Sequence, residues 1–314
     1  MSSEITKYIL ATLTYYDGMD FPMTSFEIWK YLTNVSGNKN STEYSLEAVI
    51  NELDNGKIKN YTEKYRGFYF LKGRRNLVFG RLDRNKISLK KIKLARKIVK
   101  WLRWLPYVRM IAITGSVAKK NADKSSDIDF FVVLEKGKIF TGRMLVSLIV
   151  QLLGRRRYND KIKDRICLNY YITTGSLEIN LKDVFAASEY SCLMPLYGLD
   201  TFRNFIDKNK WIKKYQINTL MEKLPGKDIV FDTSLTLMIK QLGETVFKPG
   251  IIEKYLKAWQ IKRIMANPKT YKKDSVIITN DDMLVFLPEP QSPKLYEKFQ
   301  GKLSQLASGK SSLD

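Results

Sequence analysis

The 314-residue sequence predicts a mixed α/β core between a small N-terminal module of helices and strands and a C-terminal helical region. Three observations predict it. Two apolar runs of strand length, 110–113 and 130–134, are bounded by polar turns, as buried strands are. Apolar residues recur at helical spacing on either side of them. Charge also changes sign along the chain: residues 1–56 hold three basic residues against eight acids, a net of −5, within a chain of net +22. The 44 % apolar fraction is ordinary for a globular chain and supplies enough side chains for packed cores.

The first 72 residues read as one module. Ile5, Ile9, Leu13 and Tyr16 form one stripe of a helix over 4–16. Thr24 and Glu27 have capping-box spacing and open a second short helix. A third is expected over 42–55, with Leu46, Val49, Ile50 and Leu53 inward and Gly56 as its stop. Strands are expected at 58–62 and 68–71, joined by a turn containing Gly67. Three helices followed by a β-hairpin is the winged-helix order, whose usual partner is duplex DNA. The third helix argues against that use, because it carries Glu43, Glu47, Glu52 and Asp54 and no Lys or Arg. Phosphates would repel it, so a protein-contact or dimer surface is the favoured reading. Lys57, Lys59, Lys64 and Arg66 on the wing keep nucleic acid open as a partner.

Residues 73–182 are expected to form the core behind a leading basic helix at 88–105, where Leu89, Ile92, Ala95, Val99 and Leu102 make the apolar face. Residues 71–109 contain fourteen Lys and Arg against one acid, Asp83. That field suits a polyanion such as RNA, another nucleic acid or a nucleoside triphosphate, although a merely solvated lysine-rich surface would look the same.

The chemistry-bearing stretch reads VRMIAITGSVAKKNADKSSDIDFFVVL over 108–134. A strand ends at Gly115-Ser116; ten residues later Asp127-Ile128-Asp129 opens the next strand. Period-two alternation puts Asp127 and Asp129 on one face with Ile128 and Phe130 on the other. Two carboxylates side by side call for a cation between them, and a hard divalent ion such as Mg²⁺ or Mn²⁺ takes oxygen ligands. Gly115 allows close backbone approach to a phosphate, Ser116 offers a hydroxyl and an N–H, and Lys119 and Lys120 in the following loop are further candidates for a triphosphate.

This constellation resembles the DNA-polymerase-β-like nucleotidyltransferase superfamily, whose hallmark is Gly-Ser followed by Asp-x-Asp. With the N-terminal module, CLNYYI and MPLYG, the layout also resembles a group of bacterial nucleotidyltransferase-domain proteins. The resemblance covers about 105–185. It implies that Asp127 and Asp129 bind the metal and that Gly115 and Ser116 hold the triphosphate. A third carboxylate on a later strand usually completes such a site. Here the strand 166–172 offers Asn169 at the expected place, pointing with Cys167 and Tyr171, while Glu178 in a following short strand is a possible substitute. The implied activity is transfer of a nucleoside monophosphate to a hydroxyl on RNA, protein or a small molecule, with pyrophosphate released. The alternative is a catalytically degenerate relative acting as a nucleic-acid-binding or regulatory module. Arg155, Arg156 and Arg157 at a helix end suit either helix capping or phosphate binding.

Residues 183–307 are expected to be helical, over 183–193, 199–215, 233–247 and 251–265, with a strand pair or extended arm at 275–287, a helix near 294–306, and a disordered tail at 308–314. Trp211, Tyr215, Tyr255 and Trp259 suit base stacking or core packing. Histidine is absent, which excludes His-based triads and His-containing zinc sites. Two cysteines imply no disulfide framework, the longest apolar run (144–154) is too short for a span of about 20 residues, and 1–16 lacks signal-peptide features. A cytoplasmic location with no membrane span is the expectation.

Overall fold

The computed structural model describes residues 3–37, 43–158, 160–219, 228–248, 250–290 and 292–307. The expected helix start at Thr42, the breaks at Pro225 and Pro249, and the tail 308–314 lie outside the described residues.

The chain opens with α1 (Glu4–Asp17), β1 (Met23–Thr24), α2 (Ser25–Lys30), α3 (Leu46–Asn55), β2 (Thr62–Tyr65) and β3 (Phe68–Leu71). The strands form an antiparallel sheet in the order β1-β3-β2. Thr24 and Glu27 form the expected capping box, each side chain bonded to the other's backbone N–H. The strand expected at 58–62 is instead a 3₁₀ turn, Lys57–Asn60, with β2 after it. The tight turn explains the shift. Arg66 and Gly67 both have positive φ and Tyr65 faces Phe68, so pairing counted back from the turn ends at Thr62 opposite Leu71, where β3 ends.

The next helix, α4 (Leu77–Leu102), starts well before the expected residue 88. Its early turns are held by contacts that periodicity cannot reveal. Arg81 pairs with Glu27 at 2.6 Å and lies over the Phe21 ring, and Arg84 bonds Asn121 at 2.7 Å.

Then come β4 (Val108–Thr114), α5 (Gly115–Ala118), β5 (Ile128–Leu134), α6 (Ile139–Leu152), β6 (Ile166–Thr173), α7 (Val184–Ser191), β7 (Met194–Tyr197), α8 (Leu199–Lys208), α9 (Ser234–Val246), α10 (Gly250–Met265), β8 (Val276–Thr279), β9 (Met283–Leu287) and α11 (Ser292–Ala307). Six strands form one mixed sheet, β7-β4-β5-β6-β9-β8, in which only β5 and β6 run parallel. Residues beyond 183 therefore supply three strands to the central sheet as well as helices. β7 was not expected; Pro195 is tolerated in it because it is an edge strand. The expected helix 199–215 breaks at Asn209. That buried amide accepts from the N–H of Ile179 and of the Trp211 indole and donates to Leu177 O, which pins the turn to the segment that follows β6. Trp211 is consequently core, buried with Phe205 and Ile212.

One face of the sheet packs against α4, α6 and α10, the other against α7, α8 and the 3₁₀ turn Lys210–Lys214. Buried polar contacts lock the later helices on. Glu253 of α10 accepts from the N–H groups of Phe140 (2.8 Å) and Thr141 (2.9 Å), satisfying the open N-terminus of α6. Lys240 of α9 donates to Val108 O at 3.0 Å. A third core joins α1 to α11, with Phe299 buried against Tyr15. Among the described residues no helix is long and apolar enough to cross a membrane.

Gly198, between β7 and α8, has φ +80°, and a Cβ there would sit 1.9 Å from Arg109 O. Gly198→Ala must therefore push the edge strand off β4. The expected loss of stability is at least about 2 kcal/mol, read as a lowered urea midpoint or as loss of soluble folded protein.

Candidate functional site

The antiparallel pairing of β4 with β5 sets Thr114 opposite Asp129, so the end of one strand and the start of the other share an edge of the sheet. Gly115 leaves β4 at φ +67°, and a Cβ there would lie 2.8 Å from Asp129 Oδ2. Only glycine lets the turn and the carboxylate approach this closely without strain. Gly115, Ser116, Lys119, Asp127, Asp129, Cys167 and Asn169 all line one cleft of about 1890 Å³. Lys120 and Arg155 do not line it; their side chains are exposed elsewhere.

Ligand atoms of Asp127, Asp129 and Cys167 lie within 4.8 Å of one another. Arg157 donates to Asp127 Oδ2 at 2.6 Å and approaches Cys167 Sγ at 3.6 Å. Among the described residues Asp129 has no such cation of its own. Burial first, then the charges of Asp127 and Glu189, push its carboxyl up to about 7, with Cys167 and Arg157 pulling back only in part. Burial, with the two aspartates, also drives the Cys167 thiol well above its usual range, so it stands there as a neutral thiol.

The pairing of β5 with β6 corrects the expected face of β6. Asp129 faces Cys167, but Phe131 faces Tyr170, so β6 carries one extra residue between these pairs. Simple alternation fails across that bulge. Tyr170 stacks on Phe131 with a 5.1 Å centroid separation, whereas Tyr171 turns to the opposite core. Cys167, rather than Asn169, is the residue directly beside Asp129. Asn169 still reaches the site: its Nδ2 lies 3.5 Å from Asp129 Oδ1, and its Oδ1 is buried without a partner.

Glu178 is removed from this group. It lies in a turn rather than a strand, is half exposed, and pairs with Lys182 at 2.5 Å. The carboxylate that does reach the site was missed by sequence reasoning. Glu189, on α7, accepts from Thr114 Oγ1, from the N–H of Gly115 at 2.8 Å and from Lys119 Nζ at 2.6 Å. Burial opposes its charge, but Lys119, Thr114 and Gly115 together outweigh that and hold its pKa down to about 2. The available signal was a lone acid within VFAASEYS, an otherwise apolar and small helix. Of the four aromatic candidates only Trp259 lines the cleft.

The donor set fits a divalent cation. Two carboxylates, one of them unbalanced, converge with the Asn169 amide beside Asp129, an arrangement suited to Mg²⁺ or Mn²⁺. Cys167 contributes a soft atom that such ions do not favour.

Residues 92–178, from within α4 to just past β6, match the family model of the nucleotidyltransferase domain. No curated protein and no solved structure matches the chain.

The raised Asp129 pKa has a thermodynamic consequence. Its carboxyl ionises at about 7 in the folded protein against 3.8 ordinarily, so between these values the native state holds a proton that the unfolded chain has released. Stability from this group is greatest below 3.8 and is lost as pH rises through about 7. In chelator, Asp129→Asn should be more stable than the parent at pH 8 by about 1–3 kcal/mol, and the gap should close near pH 4. Urea denaturation at several pH values checks this.

Proposed function

We propose that the nucleotidyltransferase domain formed by residues 92–178, of the polymerase-β-like superfamily, moves a nucleoside monophosphate from a nucleoside triphosphate to a hydroxyl acceptor and releases pyrophosphate. The observation that carries this reading is the convergence of Gly115, Asp127 and Asp129 at one strand edge inside a cleft large enough for a nucleotide and an acceptor. Asp127 and Asp129, with the amide oxygen of Asn169, would hold the divalent cation, which when bound supplies charge stabilisation for phosphoryl oxygens. Gly115 and Ser116 offer their turn to the triphosphate, and Lys119 stands beside it. The acceptor oxygen forms its bond to the α-phosphorus as the bond to pyrophosphate breaks in line. Its proton passes to solvent or to a phosphate oxygen. Glu189 is too weak a base, and Glu178 is elsewhere.

Two observations favour a second reading, a degenerate site with a binding or regulatory role. Cys167 occupies the place beside Asp129, and Glu189 already takes the Gly115 N–H and Lys119 that a phosphate would use.

We read residues 3–71 as a winged-helix-like module, because a short strand between the first two helices and the sheet order β1-β3-β2 fit that pattern. Its third helix is committed internally: Glu52 accepts from Thr6 Oγ1 at 2.7 Å, and Asp54 from Lys64 and Tyr69. That favours protein contact over duplex reading. Nucleic acid would meet the outer face of α4 instead, where Lys86, Lys90, Lys93, Lys97 and Lys100 are exposed.

Pyrophosphate release from each nucleoside triphosphate with Mg²⁺ or Mn²⁺ tests the first reading. Asp127→Asn and Asp129→Asn should each lower the rate at least about 100-fold, and Cys167→Asp should raise it by supplying the missing carboxylate. A parent protein inert with every triphosphate and acceptor class, and a Cys167→Asp variant equally inert, would establish the second reading in its place.

Reversal of Lys90, Lys93 and Lys97 to Glu should flatten the salt dependence of RNA or DNA binding by roughly three units of slope, about one per lost phosphate contact. Fluorescence anisotropy across a salt series measures it. Binding insensitive to salt would remove nucleic acid as a partner of this face.

A further inference from the structure

The Arg-Arg-Arg run after α6 divides between the two faces of the sheet. Arg155 and Arg157 pair their backbones with Ile166 of β6, and Arg156 forms a parallel bridge with the same residue. Strand-like alternation therefore sends neighbouring side chains opposite ways. Arg157 goes to Asp127. Arg156 instead belongs with Arg143 of α6 and Arg263 of α10, all three of which line the cleft.

This trio lacks counter-charge. Among the described residues no salt bridge engages Arg143, Arg156 or Arg263, although the adjacent Arg157 has a carboxylate partner in Asp127. Arg143 is held in place by Gln260, at 2.5 Å, and by the Phe286 ring beneath its guanidinium, yet its Nε is buried with no partner. Burial first, then Arg156 and Arg263, lower its pKa, with Tyr171 opposing. Arg156 and Arg263 both bear on the buried Arg143 guanidinium, a repulsion that an anion in the cleft would relieve. Arg263 also lies over the Trp259 ring, 5.0 Å from its centroid, and that indole is 43 % exposed. Convergent cations beside an accessible aromatic face form the combination that grips a nucleotide by phosphate and base together.

We propose that Arg143, Arg156, Arg263 and Trp259 form a second nucleotide subsite, across the sheet from Asp127 and Asp129. The arginines take a phosphate, and the indole stacks on an unpaired base, of a free nucleotide or of a terminal unit of a single strand. The subsite opens on the cleft that Asp127 and Asp129 also line, and it rests on the transferase reading only where its ligand is taken as the acceptor.

Binding, measured apart from turnover, tests it. A labelled single-stranded RNA oligonucleotide and, separately, a nucleoside monophosphate are titrated by anisotropy and calorimetry against the parent, Arg263→Gln, Trp259→Ala and Arg143→Gln. Arg263 and Trp259 stand at the surface, so their variants keep the test valid if Arg143→Gln fails to fold. Each variant should bind at least about 10-fold more weakly, and the arginine variants should lose roughly one unit of salt slope each. Affinity for Mg²⁺ with a non-hydrolysable triphosphate should stay as in the parent. Losses for the oligonucleotide alone identify a strand end as the ligand, and losses for the monophosphate as well identify a free nucleotide. Unchanged binding of both ligands in Arg263→Gln and Trp259→Ala, or no binding by the parent at low salt, overturns the subsite. Failure of the transferase reading would appear differently, as absent pyrophosphate release with these binding losses intact.

Discussion

Between β4 and β5, Thr114 stands opposite Asp129, and that pairing fixes what the remainder of the site must accommodate. It brings the Gly115 turn under the Asp129 carboxylate, where a methyl group would already be too close. It leaves Asp127, two residues earlier, on the same face. It also presents the N–H of Gly115 and the hydroxyl of Thr114 toward α7, where Glu189 answers both. A slip of one residue would send the carboxylates into the opposite face of the sheet, among Ile128, Phe130 and Val132.

Charge at this edge is balanced group by group, with one exception. Asp127 has Arg157, and Glu189 has Lys119. Asp129 has two acids near it and only a distant share of Arg157, which is why it holds its proton to about 7. The unmet demand is for positive charge next to oxygen donors, the demand a divalent ion meets. Across the sheet the imbalance has the opposite sign, because no salt bridge among the described residues engages Arg143, Arg156 or Arg263. The cleft therefore pairs an acid-rich edge with a basic one, and β6 separates them.

Much of this was legible in the sequence. Gly-Ser, ten residues and Asp-x-Asp between two apolar runs located the turn, both aspartates and the strands that bear them, because strand alternation is a local rule. The capping box at Thr24 was legible for the same reason. What escaped depended on distant partners. The bulge in β6 that puts Cys167 beside Asp129 exists only in register with β5. Glu189 lies 74 positions from the Gly115 N–H it accepts, and no spacing rule connects them. Strand β7 escaped because MPLY is short and contains proline, which only an edge position forgives. The early start of α4 escaped because its first turns are held by Glu27 and Asn121 from other elements.

The clasp between the first and last helices has a consequence for how the protein is made. Asp17 of α1 pairs with Lys302 of α11 across a separation of 285 positions, and Phe299 closes the aromatic cluster around Tyr15. On a ribosome adding about 5–20 residues per second, α1 waits roughly 15–60 s for that partner to emerge. Until then the ring of Tyr15, and that of Phe185 once it has been made, lack the cover Phe299 later gives them. The aromatic cluster is therefore the last of the three cores to close, and the chain stays exposed to aggregation there until α11 is made.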